Sequence, residues 1–547
     1  MNQHLVVYLR NHAVLLLLAL LLLGGCTFGR VSEVFRPVEP GLPPAAQLAQ
    51  APGGNLMLTL GAQDPPSLDP ALIGDTTSAF LARQLFSGLV RLDENLEVQP
   101  DLAETWDISD SGTVYTFTLR ADARFADGRA ITSEDVRYSL ERATDPEIAA
   151  SPPAATYLSD IVGVAEKLAG TADTISGLAV PDEQTVVLTI DQPKSYVLAK
   201  LAHPTSFIVD QQTVEGGGNP WTERPNGSGP FEIEDWQHNE LLVLRRNVNF
   251  YREPARLDRV TFLMGAAAVN PMLLYEDGRI DVTSVSASSL ARVQDTNNLL
   301  SRELISVPQL SLSYIGMNVT LPPFDDPNVR RAFKLLVDQN RIAEVSLQDS
   351  AIAARGILPP GMPGYNADLP EPVVDIEQAR QLLAESHYGS AEQLPPIAAY
   401  GNGWTGLLAD VAEEELGITI EQRNYQRFGD YLQALDQNAF PLFGLAWVAD
   451  YPDPENFVDL LFRTGSNENH TSYSNPAVDA LLDQAAIEPD ETRRWQLYQE
   501  AEQLILADAP IIPISHDVEH LLVKPYVEGL VLTPMGILDL STVSLIP

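Results

Sequence analysis

A single cysteine, Cys26, in a chain of 547 residues removes every intrachain disulfide and every Cys-x-x-Cys zinc or redox pair. The fold must therefore be held by buried apolar surface. A hydrophobic content of 45% supplies it and excludes a chain disordered throughout. One core rarely grows past ~250–300 residues, so two or three lobes are expected. Lys+Arg number 34 against 74 Asp+Glu, a formal net charge of −40. Charge of that sign repels nucleic-acid phosphates and anionic lipid headgroups, so no nucleic-acid partner is expected.

The cysteine's position carries more information than its solitude. Residues 13–23 are continuously apolar, preceded by Arg10 and followed by Gly24-Gly25-Cys26. This run falls short of the ~20 residues a spanning helix needs and suits a signal-peptide core. Leu23-Gly24-Gly25-Cys26 resembles the bacterial lipobox, which implies a signal peptide over 1–25 and lipidation of Cys26. The alternative is an ordinary signal or anchor helix with an incidental cysteine. Residues 26–52, rich in Pro, Gly, Ala and Gln, read as a flexible tether. The expectation is an extracytoplasmic body held by a lipid anchor at the cell membrane.

Alternation over 55–60 and 113–119 predicts strands, with Tyr115, Phe117 and Leu119 on one face. Helices are predicted over 77–89 and 136–143, the second opened by Thr132-Ser133-Glu134-Asp135. Strands are expected at 185–190, 231–236, 241–245 and 259–263. From about residue 327 the pattern becomes α/β: helices at 329–336, 376–384 and 407–416, strands at 397–400 and 418–422. Strands at 510–514 and 521–523 close the reading.

Two motifs invite other functions. Gly401-Asn402-Gly403-Trp404-Thr405-Gly406 matches G-x-G-x-x-G between a predicted strand and helix, with Glu421 where a ribose-binding acid would lie. Bulky Trp404 in the tight turn and the late position argue for a simple strand-to-helix connection. His516-Asp517-Val518-Glu519-His520 matches H-x-x-E-H, which needs two His one helical turn apart and a Glu to activate metal-bound water. The preceding Pro510-Ile511-Ile512-Pro513 favours extended chain, so both His are expected at the surface. An exported zinc-dependent hydrolase using His516, Glu519 and His520 is the alternative function. No Walker A loop or G-x-S-x-G elbow occurs.

An ordered series of motifs points elsewhere. It begins with Ser67-Leu68-Asp69-Pro70, Gln84-Leu85-Phe86-Ser87-Gly88-Leu89, Pro100-Asp101-Leu102-Ala103-Glu104-Thr105-Trp106 and Phe125-Ala126-Asp127-Gly128. It continues with Gly227-Ser228-Gly229-Pro230-Phe231, Gly278-Arg279-Ile280-Asp281 and Pro323-Phe324-Asp325-Asp326-Pro327-Asn328-Val329-Arg330-Arg331-Ala332-Phe333. It ends with Trp447-Val448-Ala449-Asp450-Tyr451-Pro452-Asp453-Pro454. From about Gly54 onward the chain resembles the family-5 extracytoplasmic solute-binding proteins of ABC transporters, the group that takes peptides, nickel and related solutes.

The resemblance implies an α/β, bilobed periplasmic-binding-protein fold of the type II, three-domain variety, closing by a hinge over a cleft. Its domains would be 53–77 with 205–310 and 510–547 as lobe I, 78–204 as an inserted small domain, and 311–509 as lobe II. It implies a monomeric receptor, not an enzyme, with no cofactor and no bound metal, which delivers peptides or a related small solute to an ABC permease. Asp450 would pair with a peptide's α-ammonium, Trp447 beside it would wall the pocket, and Tyr451 would also belong to the ligand-binding set. Tyr314 and Asn318 would sit where the lobes cross, with Trp404 a weaker candidate. The residues themselves leave alternatives open: Asp450 and Asp453 also fit a capped turn, and Trp447 and Tyr314 also fit a core. Arg330 and Arg331 read as solvated or capping residues, and Arg423 and Arg427 match no motif.

Overall fold

The computed structural model describes residues 53–546, apart from 150–151, 217, 219, 349, 402 and 426–427. The expected signal segment, the tether and Cys26 lie outside the described residues, as do Asn402 and Arg427. Among the described residues no helix is long and apolar enough to cross a membrane.

Three principal sheets organise the chain. The first has four strands in the order Asn55–Gly61, Arg259–Met264, Leu241–Arg246, Phe231–Gln237; only the first pair is parallel. Alternation turns Leu56 and Leu58 inward to meet Leu242, Leu244 and Phe262 in one core. The second is an antiparallel sheet, Ala103–Ile108, Val114–Leu119, Thr185–Thr189, Leu178–Asp182. Tyr115, Phe117 and Leu119 are buried beneath it, as their spacing predicts. Helix Ser133–Ala143 packs on this core and opens with the expected capping box: Thr132 N donates to Asp135 Oδ2 at 2.8 Å.

The third sheet has eight strands. Its path runs Val282–Ser284, Ile511–Val523, Ser311–Met317, Leu442–Val448, Ile397–Tyr400, Ile420–Arg423, and Leu304–Pro308 and Ala351–Ala353 also pair with Ile511–Val523. Strands 397–400, 420–423 and 442–448 are parallel, linked through helices Gly403–Leu416 and Phe428–Asp436. That is the α/β alternation read from the sequence. Two strands, not one, were expected near the C-terminus. A single 13-residue strand, Ile511–Val523, is found. Its first half pairs with Ser311–Met317 and its second with Leu304–Pro308, with a register shift between Ser313 and Tyr314. One continuous backbone therefore ties the α/β half to the rest of the molecule.

That strand carries the H-x-x-E-H pentad and overturns both readings of it. His516 and His520 are buried, at 2% and 4% exposure, not at the surface. Four residues along a strand separate them by ~13 Å, too far for one metal. His516 Nδ1 lies 2.7 Å from Ser311 O, His520 Nδ1 lies 2.7 Å from Ser306 Oγ, and Glu519 accepts from Ser284 Oγ at 2.8 Å. Among the described residues no group of three His, Cys, Asp or Glu side chains could hold a metal. The zinc hydrolase is therefore not supported.

Gly401 explains the glycine-rich connection. It has φ +115°, and a Cβ there would stand 2.7 Å from both Gly444 O and Tyr431 Oη. The glycine admits the neighbouring strand. Arg330, Arg331 and Lys334 cap a helix end: they donate to the Asp508, Ala507 and Leu506 carbonyls at 3.0, 3.0 and 2.9 Å, closing helix Glu491–Asp508.

Candidate ligand-binding site

Strand Leu442–Val448 ends in the loop that presents Asp450. Asn456 fixes this loop, its Oδ1 accepting from Asp450 N at 3.1 Å and from Trp447 Nε1 at 3.0 Å. Asp453 is held by Arg494 in a two-pronged pair, 2.8 and 2.6 Å, which makes it an anchor of the loop. Tyr451 is fully buried and donates its hydroxyl to Glu455.

Asp450 meets the small antiparallel sheet's side of the molecule. Tyr157, at the end of short helix Ala154–Tyr157, donates its hydroxyl to Asp450 Oδ2 at 2.7 Å. His203 stacks on the Tyr157 ring with centroids 3.6 Å apart, and its Nε2 lies 3.8 Å from Asp450 Oδ1, beyond hydrogen-bond reach. Burial, then the nearby Arg83, holds His203 well below the usual imidazole range, so it is neutral. Burial raises the Asp450 carboxyl above its ordinary value, opposed by the Tyr157 bond, by Asn456 and by Arg83. About a quarter of the Asp450 side chain, 24%, remains accessible. The result is a buried but partly accessible carboxylate held on one oxygen by Tyr157.

A second acid, Glu468, stands close by and accepts from Thr156 Oγ1 at 3.4 Å. Burial, Asp450 and Asp436 push it up to about 7. Perturbed acids gathered at a junction between two parts of a fold make it a candidate functional site.

Of the residues singled out from sequence, the structure brings Trp447 and Tyr451 together with Asp450. Both pack in the cluster built on Tyr157 and Leu460. Tyr314 is 3% exposed and lies edge-on to Phe443 in the core beneath, at 6.4 Å. Asn318 is elsewhere. Ser311 pairs with Val448 beside the loop, whereas Met317 pairs with Leu442 at the opposite end, ~20 Å along the strand. There Asn318 Oδ1 accepts from Thr320 N at 3.0 Å and Thr320 Oγ1 at 2.7 Å, a turn-forming role. Trp404 packs on the core under helices Pro327–Lys334, Ile376–Glu385 and Gly403–Leu416, not with the Asp450 cluster. Arg423 pairs with Glu421 and donates to Tyr400 Oη at 2.8 Å. The sequence reading missed Tyr157, His203, Arg83 and Glu468. Arg83 immediately precedes one of the quoted motifs, and the others carry no local signal.

Residues 97–469 match the family described as bacterial extracellular solute-binding proteins, family 5. The chain belongs to this family. It is a binding protein that works outside the cytoplasm, and not an enzyme. It is 33% identical to the probable deoxycholate-binding periplasmic protein YgiS of Escherichia coli, covering 85% of this chain and 89% of that one. It is 31% identical to the periplasmic oligopeptide-binding protein OppA of the same organism, over 85% and 87%. The solved structure of the E. coli murein tripeptide binding protein MppA superposes with a TM-score of 0.80 at 27% identity, over 90% of this chain and 98% of that one. MppA in a form described as unliganded and open gives 0.66 over the same 90% of this chain and 97% of that one. The bilobed fold is thus established, and its lobes lie nearer the first arrangement than the open one.

Proposed function

We propose that this chain is the substrate-binding component of an ABC importer, anchored through a lipidated Cys26, and that it captures peptides by their α-ammonium on Asp450. The observation that carries the reading is a partly accessible carboxylate: Tyr157 holds Oδ2 at 2.7 Å, while the His203 Nε2 facing Oδ1 stands 3.8 Å off and 24% of the side chain stays accessible. An ammonium there gains charge-assisted hydrogen bonds in a partly desolvated site. Trp447 and Tyr157 supply apolar walls. Relatives named for oligopeptides and for murein peptides support the ligand class.

On this reading 53–77, 205–310 and 510–547 form one lobe, 78–204 an inserted domain and 311–509 the other lobe. Ligand touching both lobes favours the closed form, which is handed to the permease. Moving such an equilibrium from 1:99 to 99:1 takes ~5.5 kcal/mol of differential affinity.

Calorimetric titration with tri-alanine and with N-acetyl-tri-alanine tests the assignment. The protein should prefer the free amine by about a hundredfold or more, and Asp450→Asn should erase the preference. Equal affinity for the two peptides, or a preference that survives Asp450→Asn, would refute it.

A further inference from the structure

Arg83, whose charge acts on Asp450, also lines a cavity. The cavity is small, about 60 Å³, and open on one side to solvent, and Arg91 and Arg252 also line it. Three arginines line this one cavity, and the Arg91 and Arg252 guanidiniums repel one another, in a chain whose net charge is −40. Two carboxylates face them, Asp101 and Asp539. Both are already committed. Asp101 accepts the Tyr251 hydroxyl at 2.6 Å and lies 3.3 Å from Arg252 Nε; Asp539 accepts from Ser541 N at 2.9 Å and Ser541 Oγ at 2.5 Å.

The arginines are not equally provided for. Arg252 also rests its guanidinium over the Phe250 ring, 5.0 Å from the centroid. The Arg83 and Arg91 guanidinium groups make no hydrogen bond or ion pair among the described residues, and the buried Arg91 Nε has no acceptor. Burial pulls the Arg83 guanidinium down to about 10, with Asp450 and Tyr157 opposing. Arg91 is pulled down by burial and then by repulsion from Arg252, with Asp101, Asp539 and Asp93 opposing. Phe207 and Ile537 complete the walls and keep the local dielectric low. Like charges gathered against apolar walls, with donors left over, favour an anion; the planar guanidinium fork fits a carboxylate in two-pronged fashion.

We propose that the Arg83–Arg91–Arg252 cavity is a carboxylate-binding subsite, so that the solute carries an acidic group in addition to the group held at Asp450. The subsite deepens the peptide reading by specifying acidic peptides, yet it is tested separately from it.

Thermal unfolding of the whole chain in sodium acetate and succinate, against sodium chloride at equal ionic strength, uses probes that are not peptides. The carboxylates should raise the midpoint of the protein and leave an Arg83→Gln/Arg91→Gln double variant unmoved. Equal midpoints in all three salts overturn the subsite, as does a rise that persists in the double variant. The comparison of salts on the unaltered protein stands even if the variant fails to fold. Native mass spectrometry with Glu-Ala-Ala and Gln-Ala-Ala then joins the two readings: an acid preference of about tenfold, lost in the double variant, is expected. A carboxylate effect on unfolding without bound peptide would keep the subsite and sink the peptide reading. Peptide bound without acid preference or carboxylate effect would do the reverse.

Discussion

Two acid-bearing junctions join the small-sheet side of the molecule to the α/β side, and they are built on opposite plans. At Asp450 the acid meets a tyrosine hydroxyl and a neutral His203, with one oxygen left over. At the other, Lys200 is 3% exposed, 2.7 Å from Asp160 Oδ2 and 3.7 Å from Glu455 Oε1, and Lys194 reaches Asp160 at 2.6 Å. There every charge has an opposite. The first junction is an acceptor awaiting a donor; the second is a closed ionic latch beside an open groove. On the proposed function, binding capacity would reside in the incomplete junction and adhesion between the two sides in the complete one.

The sharpest way to break that contrast is Lys200→Met. Removing one member of a buried ionic set leaves uncompensated charge and costs about 3–5 kcal/mol. Urea unfolding at alkaline pH should read a loss of that order. The loss should shrink in acid, because Glu455, already pushed up to about 7 chiefly by burial, takes a proton there. A variant as stable as the parent at alkaline pH would mean that the latch holds nothing.

Local pattern made the framework of this molecule readable, and distance hid its junctions. Strand Ile397–Tyr400 and helix Ile376–Glu385 fall within a residue of the positions read from sequence, because a period of 2 or 3.6 is written into adjacent residues. The helix expected over 77–89 ends at Leu85, since Val90–Leu92 is drawn into a strand with Val98–Pro100. The strand over 511–523 was read as two pieces because its middle, His516 to His520, is polar, and polarity usually signals exposure; here partners on neighbouring strands satisfy those groups. Asp450 could be named from its motif. Tyr157 could not, because 293 residues separate it from the carboxylate and no periodicity spans that gap.

Glu468 sharpens the comparison through pH. Its carboxyl is raised from 4.5 to about 7 by burial, then by Asp450 and Asp436, so between those values the folded protein holds a proton that the unfolded chain has released. Stability from this group is complete below 4.5 and is lost as pH rises through 7. Glu468→Gln should therefore stabilise the protein above pH 7 by up to about 3 kcal/mol and leave it unchanged below 4.5. His470 and His516, both pulled down to about 4 by burial, act in the opposite sense, their stability being lost as pH falls from 6.5. The difference between parent and variant cancels that background, so two superimposable stability–pH curves would refute the assignment.

The smallest effect belongs to Tyr157→Phe, and it probes the incomplete junction alone. The substitution deletes the 2.7 Å bond to Asp450 and keeps the ring that stacks on His203. A hydrogen bond to a charged acceptor contributes about 1.5–3 kcal/mol, and solvent reaching the accessible Asp450 side chain returns part of it, so a loss near 1 kcal/mol is expected. Affinity for a free-amine peptide should change less than about tenfold, because the ammonium can occupy the vacated oxygen as well as its own. Were Tyr157→Phe to cost as much stability as Lys200→Met, the Asp450 junction would itself be a latch, and its open oxygen an accident of packing rather than a place for a ligand.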